Sequence, residues 1–450
     1  MFNRKIIETL QRWKNDPEHK PLILRGARQV GKTTAVHMFA AQFENFILLN
    51  LELKSDRDLF NESLALDEFW QAVLVTKNVR LKNGATLLFI DEIQNSAAAM
   101  KMLRYFYEER RDVHVIAAGS LLEFMLEHSE TSFPVGRVQF AYMYPLTFEE
   151  FLAASGEEQL LEVYCVAPVK KFALPKLFQL FRLYALLGGM PEIVRQYLKH
   201  KDVPSLKTYY ESLLTSYLDD ADKYARNSTQ RQILRHVLES VPAEAGTRIK
   251  FQGFGNSNYR SREVSEALRA LERAMLLSLV YPTTAVQLPL AVDLKKSPLL
   301  QFIDTGLLNY FAGLQPGFFQ YVDLHSIYKG RIVEHLVRQE LLAQDADSNR
   351  KIAFWVREQK QSNAEVDMLL PFQNYAIPVE VKSGATGTLR SLHQFLNAAP
   401  HPFAVRLYEG PFEILAAQTP EGKTYRLMNL PYFLAGRLHA YLPLLVQATA

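Results

Sequence analysis

Residues 26–33 read Gly26-Ala27-Arg28-Gln29-Val30-Gly31-Lys32-Thr33, a complete GxxxxGK[ST] pattern behind the apolar run Leu22-Ile23-Leu24. This octet constrains the fold more than any other feature, because it works only as strand, glycine-rich turn and helix in succession. The glycines let consecutive backbone N–H groups turn inward toward phosphate oxygens, and the helix expected over Thr34 to Gln42 brings its positive end to the same point. Lys32 supplies a cation for the β- and γ-phosphates, and the Thr33 hydroxyl suits Mg²⁺. Gly26 through Thr34 are therefore the expected binding residues for a nucleoside triphosphate, taken to be ATP with Mg²⁺.

An acidic partner follows at Leu87-Leu88-Phe89-Ile90-Asp91-Glu92, a buried parallel strand ending in two carboxylates. Ligands of such sheets meet the carboxyl ends of the strands. Asp91 is expected beside Thr33 as the magnesium-ordering acid, and Glu92 as the group that orients or deprotonates the attacking water. The run Phe46 to Leu51 inserts a strand between the two motifs, and Val113 to Ala118 adds a fourth ending at Gly119-Ser120.

The inserted strand and the second acid resemble the additional-strand, catalytic-glutamate class of ATPases. With Ile90-Asp91-Glu92-Ile93-Gln94, Gly119-Ser120, Val135 to Phe140, Tyr144-Pro145-Leu146-Thr147-Phe148-Glu149-Glu150-Phe151 and Leu186 to Glu192, nearly the whole chain resembles the prokaryotic AAA-type ATPases that carry a C-terminal domain of unknown function. The resemblance implies a five-stranded parallel sheet ordered 5-1-4-3-2 and places a polar sensor at Ser120, where a plain Gly-Ser turn is the alternative. Arg137 is the candidate charge-stabilising arginine, in its own subunit or a neighbour's. Its rivals are Arg25, Arg28, Arg104, Arg110 and Arg111, and the structural alternative is a surface arginine or one paired with Glu149 or Glu150.

With 450 residues the chain suggests two to four domains, and 48% hydrophobic content is enough for real cores. No window approaches eighteen uninterrupted apolar residues and Met1 to Lys5 opens no signal-peptide core, so a cytoplasmic protein without a membrane segment is expected. The single cysteine, Cys165, excludes an internal disulfide and a cysteine-built metal site. A net charge of +3 is too small to announce nucleic acid, so its distribution matters more.

Residues 1–150 are expected as the ATPase core, 151–222 as a helical lid, 223–300 as a winged-helix module and 301–450 as a PD-(D/E)xK nuclease-like α/β domain. Between Tyr224 and Lys296, eleven Lys and Arg face six Asp and Glu, which biases that module toward an acidic partner. There a helix from Ser261 to about Met275 places Val264, Leu268, Leu271 and Met275 on one face and Arg262, Glu266, Arg269 and Arg273 on the other. The three arginines suit a DNA phosphate groove; the same spacing also makes an ordinary salt-bridged ladder.

From Gly330 the pattern reads helix, three strands, helix, strand: Arg331 to Ala343, Ile352 to Val356, Glu365 to Leu370, Ala376 to Val381, Leu389 to Leu396 and Phe403 to Tyr408. That order matches the core of PD-(D/E)xK nucleases. Glu380 and Lys382, two apart, share a strand face. Glu334, Asp367 and Glu380 are the expected divalent-metal ligands, with Lys382 positioning a water or simply neutralising Glu380. The cluster Asp219, Asp220 and Asp222 reads as a solvated helix end ahead of a metal site. Two functions stay open: an ATPase acting on DNA through its C-terminal modules, and a nucleotide-gated scaffold whose C-terminal domain binds a protein and cleaves nothing. Homo-oligomerisation is compatible with both.

Overall fold

The computed structural model describes residues 2–61, 63–119, 136–223, 225, 227–315, 330–357, 364–382 and 389–447. The chain divides into two compact units, the first Met1–Tyr144 with Arg273–Met275 and Asp345–Asn349, the second the remainder.

The first unit opens with helix α1 (Ile6–Lys14), which buries Ile6, Leu10 and Trp13 along one stripe. Strand β1 (Leu22–Arg25) leads into α2 (Lys32–Ala40), followed by β2 (Asn45–Asn50), α3 (Leu66–Thr76), β3 (Thr86–Asp91), α4 (Ala97–Glu109), β4 (Val113–Ala118) and β5 (Gln139–Tyr142). All pairings are parallel and the order is β2-β3-β4-β1-β5, the 5-1-4-3-2 arrangement expected. β3 is buried along its whole length, as a central strand covered on both faces must be. Helix α4 starts where the Ser96 side chain accepts from the Ala99 amide, a cap contributing about 1 kcal/mol.

In the second unit, Thr147 and Glu150 form a capping box at the head of α5 (Phe148–Ala154). Helices α6 (Glu158–Cys165), α7 (Leu174–Leu187), α8 (Pro191–His200) and α9 (Lys207–Lys223) follow. The motif segments are structural here. Leu146 N–H donates to the Gly189 carbonyl at 2.7 Å, while the Phe148 amide and the Tyr184 hydroxyl both donate to buried Glu340. Asp304, fully buried, caps α12 (Thr305–Phe311) and also accepts from Gly189 N–H at 2.6 Å, which is why the Gly188-Gly189 turn sits where it does. Burial pushes the Asp304 carboxyl up to about 6, against the backbone donors that favour its charged form.

Between these lie α10 (Ser228–Glu244), α11 (Ser261–Arg273) and the antiparallel pair β6 (Leu277–Val280) and β8 (Leu299–Phe302). Val264, Leu268 and Leu271 are buried as expected. Helix α13 (Arg331–Leu342) then precedes β9 (Phe354–Val356), β10 (Glu365–Val366), β11 (Met368–Phe372), β12 (Tyr375–Val381), α14 (Arg390–Ala398), β13 (Phe403–Tyr408), β14 (Glu413–Gln418), β15 (Thr424–Pro431) and α15 (Leu438–Val446). The main sheet is ordered β11-β12-β13-β15-β14.

Two details depart from the sequence reading of this region. The strand expected over Glu365 to Leu370 breaks at Asp367, whose carboxylate turns to accept the Val381 amide at 2.7 Å, and β9 pairs with β10 and the short β7 (Pro282–Thr283) outside the main sheet. The hairpin β14–β15 adds two strands that the sequence pattern does not announce. Among the described residues no single helix is long and apolar enough to cross a membrane; one bent pair, Lys171–Leu187 with Pro191–His200, passes by composition, but its Phe178, Phe181 and Tyr184 are buried.

Candidate active site

The loop between β1 and α2 is shaped by residues in the left-handed region, Gln29 at φ 65° and Gly31 at φ 96°. Gly31 suits this conformation because it has no Cβ. Gly26 is needed for a different reason: a Cβ there would collide with the Met143 carbonyl. Lys32 is buried and its ammonium donates to the carbonyls of Gly26 and Ala27, each at 2.9 Å, so the cation lies across the loop it serves. Ala27 and Val30 are buried, Arg28 is half-buried, and Gln29, Thr33 and Thr34 are exposed at the mouth.

The acids arrive from β3. Thr33 Oγ1 donates to Asp91 Oδ2 at 2.9 Å, bringing together the hydroxyl and carboxylate expected to share Mg²⁺. That donor set fits a hard cation bound through oxygen and water. Glu92, next along, has φ 54°, an uncommon conformation for a non-glycine residue, and its amide donates to Asp91 Oδ1 at 3.1 Å. Its carboxylate is held by Gln94 Nε2, while Gln94 Oε1 is buried with no hydrogen-bond partner among the described residues.

Two residues of this site carry no signal of their own in the motifs. Gln94 lies within a motif but without a role legible there. Arg4 lies far upstream, and its buried guanidinium donates to the carbonyls of Val30 at 2.7 Å and Tyr144 at 2.6 Å.

Arg137 is not brought to this site. It precedes β5, at the amino ends of the strands, and pairs with Glu108 at the end of α4 at 3.1 Å, whereas the phosphate loop lies at the carboxyl ends. The Arg137 side chain is 43% exposed and the acid it meets is Glu108, which makes it a surface arginine, one arm of the structural alternative. Of the rivals, Arg104 pairs with Glu108, Arg110 with Asp112 and Asp67, and Arg111 with Glu18, while Arg25 lies over Tyr142. Ser120 lies outside the described residues.

The C-terminal acids form a buried charged cluster that differs from the expected cage. Val381 N–H occupies Asp367 Oδ2, Lys382 Nζ donates to Glu380 Oε1 at 2.6 Å, and fully buried Arg338 donates to the Asp367 carbonyl at 2.5 Å. Burial raises Glu334, Asp367 and Glu380, and Asp367 adds repulsion for both glutamates. Among the described residues, no three His, Cys, Asp or Glu side chains converge to hold a metal ion. Glu334, Asp367 and Glu380 thus share one buried charged cluster, in which the Val381 amide takes one oxygen of Asp367, Lys382 takes one oxygen of Glu380, and Glu380 Oε2 is buried with no hydrogen-bond partner among the described residues. Asp220 and Asp222 are similarly taken, by Lys223 and by a two-pronged contact from Arg235.

On α11, Arg262 is 90% exposed in its side chain and pairs with Glu266 at 2.8 Å. Arg269 is exposed and reaches Tyr281, lining a cavity of about 270 Å³ with Glu272, Leu279 and Lys351; Arg273 is half-buried.

A parallel 5-1-4-3-2 sheet, a glycine-rich loop over a buried lysine, and paired acids on the next strand but one define a P-loop nucleoside-triphosphatase fold. The comparisons agree: residues 18–152 match the model of an AAA domain, while 178–317 and 329–424 match two models each described as a domain of unknown function. Among solved structures the chain is similar to the Walker-type ATPase paby2304 of Pyrococcus abyssi, at 15% identity over 69% of this chain and 96% of that one with a TM-score of 0.44. It is also similar to the Thermotoga maritima RuvB Holliday junction branch migration motor, at 17% identity over 62% and 90% with a TM-score of 0.27. No curated protein matches the sequence.

Proposed function

We propose that the chain is a Mg²⁺-dependent ATPase that works on DNA through its second unit. The observation that carries the ATPase reading is the 2.9 Å bond between Thr33 and Asp91 at the mouth of the loop. The loop amides would cradle the phosphates, and Lys32 would exchange its two carbonyl partners for β- and γ-phosphate oxygens. Mg²⁺ held by Thr33 and Asp91 would neutralise charge on the same phosphates. Glu92 would orient the attacking water and take its proton, with Gln94 fixing the carboxylate until substrate arrives. With Arg137 away from the loop, a charge-stabilising arginine would be Arg28, half-buried within the loop, or would come from a neighbouring copy or from beyond the described residues.

For DNA, the support is the run of exposed Arg262 and Arg269 along α11, in the region with the excess of basic residues. The helix, loop, helix and antiparallel pair from α10 to β8 suit a winged-helix module. A second reading has its own observation. Because Lys382 and Arg338 compensate the acidic cluster, the C-terminal module suits recognition without cleavage, of nucleic acid or of a protein partner.

Calorimetry with ATP and Mg²⁺ should give binding heat that Lys32→Ala abolishes; no heat for the native protein overturns the ATPase reading. Phosphate release should rise with duplex, branched or single-stranded DNA. Arg262→Ala with Arg269→Ala should lower the salt slope of DNA binding by about one for each phosphate that the variant no longer neutralises. A turnover rate indifferent to every DNA transfers the reading to a protein partner.

A further inference from the structure

Among the described residues, three sheet edges carry a hydrogen bond from outside their own sheet. In the first unit the Tyr142 amide on β5 donates to the Ala346 carbonyl at 2.7 Å, and at the β2 edge the Asn50 amide donates to Asp56 Oδ2 at 2.8 Å. In the second, edge strand β11 has its Leu369 amide on the Ala353 carbonyl at 2.8 Å. Strand β14, Glu413-Ile414-Leu415-Ala416-Ala417-Gln418, is different. It ends the main sheet, Glu413, Leu415, Ala416 and Gln418 are exposed, and its outer backbone groups have no partner among the described residues. It also lacks the usual guards: no lysine, no proline, and an unbroken register with β15.

The geometry of the hairpin determines which groups are free. Thr419 N–H donates to the Lys423 carbonyl across the turn, so alternation along the antiparallel ladder points Glu413, Leu415 and Ala417 at β15 and leaves Ile414, Ala416 and Gln418 facing outward. An identical strand added antiparallel exchanges bonds only between outward residues. The register that pairs all three sets Ile414 opposite Gln418 and puts Ala416 on the two-fold axis. Glu413 then falls opposite Thr419, so no like charges meet.

Leu415 gives the arrangement its driving force. It is 43% exposed, yet it lies across from Leu427, and Ala417 across from Tyr425, on the face that packs under α14. In the two-fold register Leu415 of one copy faces Ala417 of the other in a non-hydrogen-bonded pair, where side chains approach most closely. The small core would continue from one molecule into the next.

We propose that β14 is a homodimer interface, joining two copies of this chain into one continuous sheet about an axis through Ala416. The occupant is a second copy because the edge pairs with itself without opposing like charges and sets exposed Leu415 against Ala417.

Sedimentation of the full chain without nucleotide, at micromolar concentration, tests it. The wild type should sediment at twice the chain mass. Ala416→Lys and Ala416→Glu, each placing like charges together on the axis, should be monomeric with unchanged circular dichroism and basal ATPase rate, and an equimolar mixture of the two should return to the dimer. Ala416→Pro, which removes only an outward N–H, should also be monomeric. A monomeric wild type, as expected if the edge instead awaits an extended peptide of another protein, overturns the proposal. So does a lysine variant of wild-type mass, or a mixture that stays monomeric.

Discussion

The Arg4 guanidinium donates to the Val30 carbonyl at 2.7 Å, tying the first residues of the chain to the middle of the phosphate loop, and its second prong holds the Tyr144 carbonyl at 2.6 Å. Hydrogen bonds from a buried charged donor contribute about 1.5–3 kcal/mol each. Arg4→Ala should therefore lower the unfolding free energy by about 3 kcal/mol, read from the urea midpoint, and weaken ATP binding. Arg4→Lys should recover only part of either loss, because one ammonium cannot reproduce a two-pronged planar fork. Wild-type ATP affinity in a folded Arg4→Ala protein would detach this residue from the loop's function.

Glu92 and Gln94 make separable predictions. Glu92→Gln should bind ATP normally and lose turnover by about a hundredfold or more, the usual contribution of a positioned base. Gln94→Leu should lower kcat with KM little changed, since it frees the carboxylate without touching the loop. Steady-state phosphate release distinguishes the two, and a Glu92→Gln enzyme that still turns over removes Glu92 from its role.

The C-terminal acids predict a stability that falls with rising pH. Burial pushes Glu334 and Glu380 each up to about 8, so the folded state takes up protons that the unfolded chain has already released. The stability tied to these protons is full below the ordinary carboxylate range and is lost as pH rises toward 8. Glu380→Gln should flatten the thermal midpoint between about pH 5 and 8 relative to the wild type. Identical slopes for the two proteins would show that the cluster is already ionised.

His114 predicts the opposite direction in the first unit. Its ring stacks on His19 with centroids 4.1 Å apart, and burial, with that neighbour, lowers it from 6.5 to about 4. The unfolded chain takes up a proton that the folded one refuses, so stability is lost as pH falls from 6.5 to about 4. His114→Gln should lose less than the wild type over that window, measured as the difference in denaturation midpoints.

Much of the nucleotide site was legible in the sequence because its parts are local. The loop's glycines, Lys32 and Thr33 fall within eight consecutive positions, and Asp91 and Glu92 stand at the end of a strand whose burial is written in its four apolar residues. Strand order came only from the family resemblance, not from the apolar runs themselves. The succession of elements around Asp367 was legible too, but not the break there, which depends on the Val381 amide, fourteen residues along the chain, donating to that carboxylate.

Sequence by itself specified the local pieces: a phosphate-binding loop, and two consecutive acids at the end of a buried strand as candidates for ordering a cation and a water. Only the tertiary structure decided where distant groups end up. It sent Arg137 to Glu108 at the far end of the sheet, brought Arg4 to Val30, turned Gly189 into a partner of Asp304, and closed Lys382 and Arg338 around the distal acids. The reason is physical: a buried charge or polar group must find a partner wherever packing places it, and no local spacing encodes which partner that is.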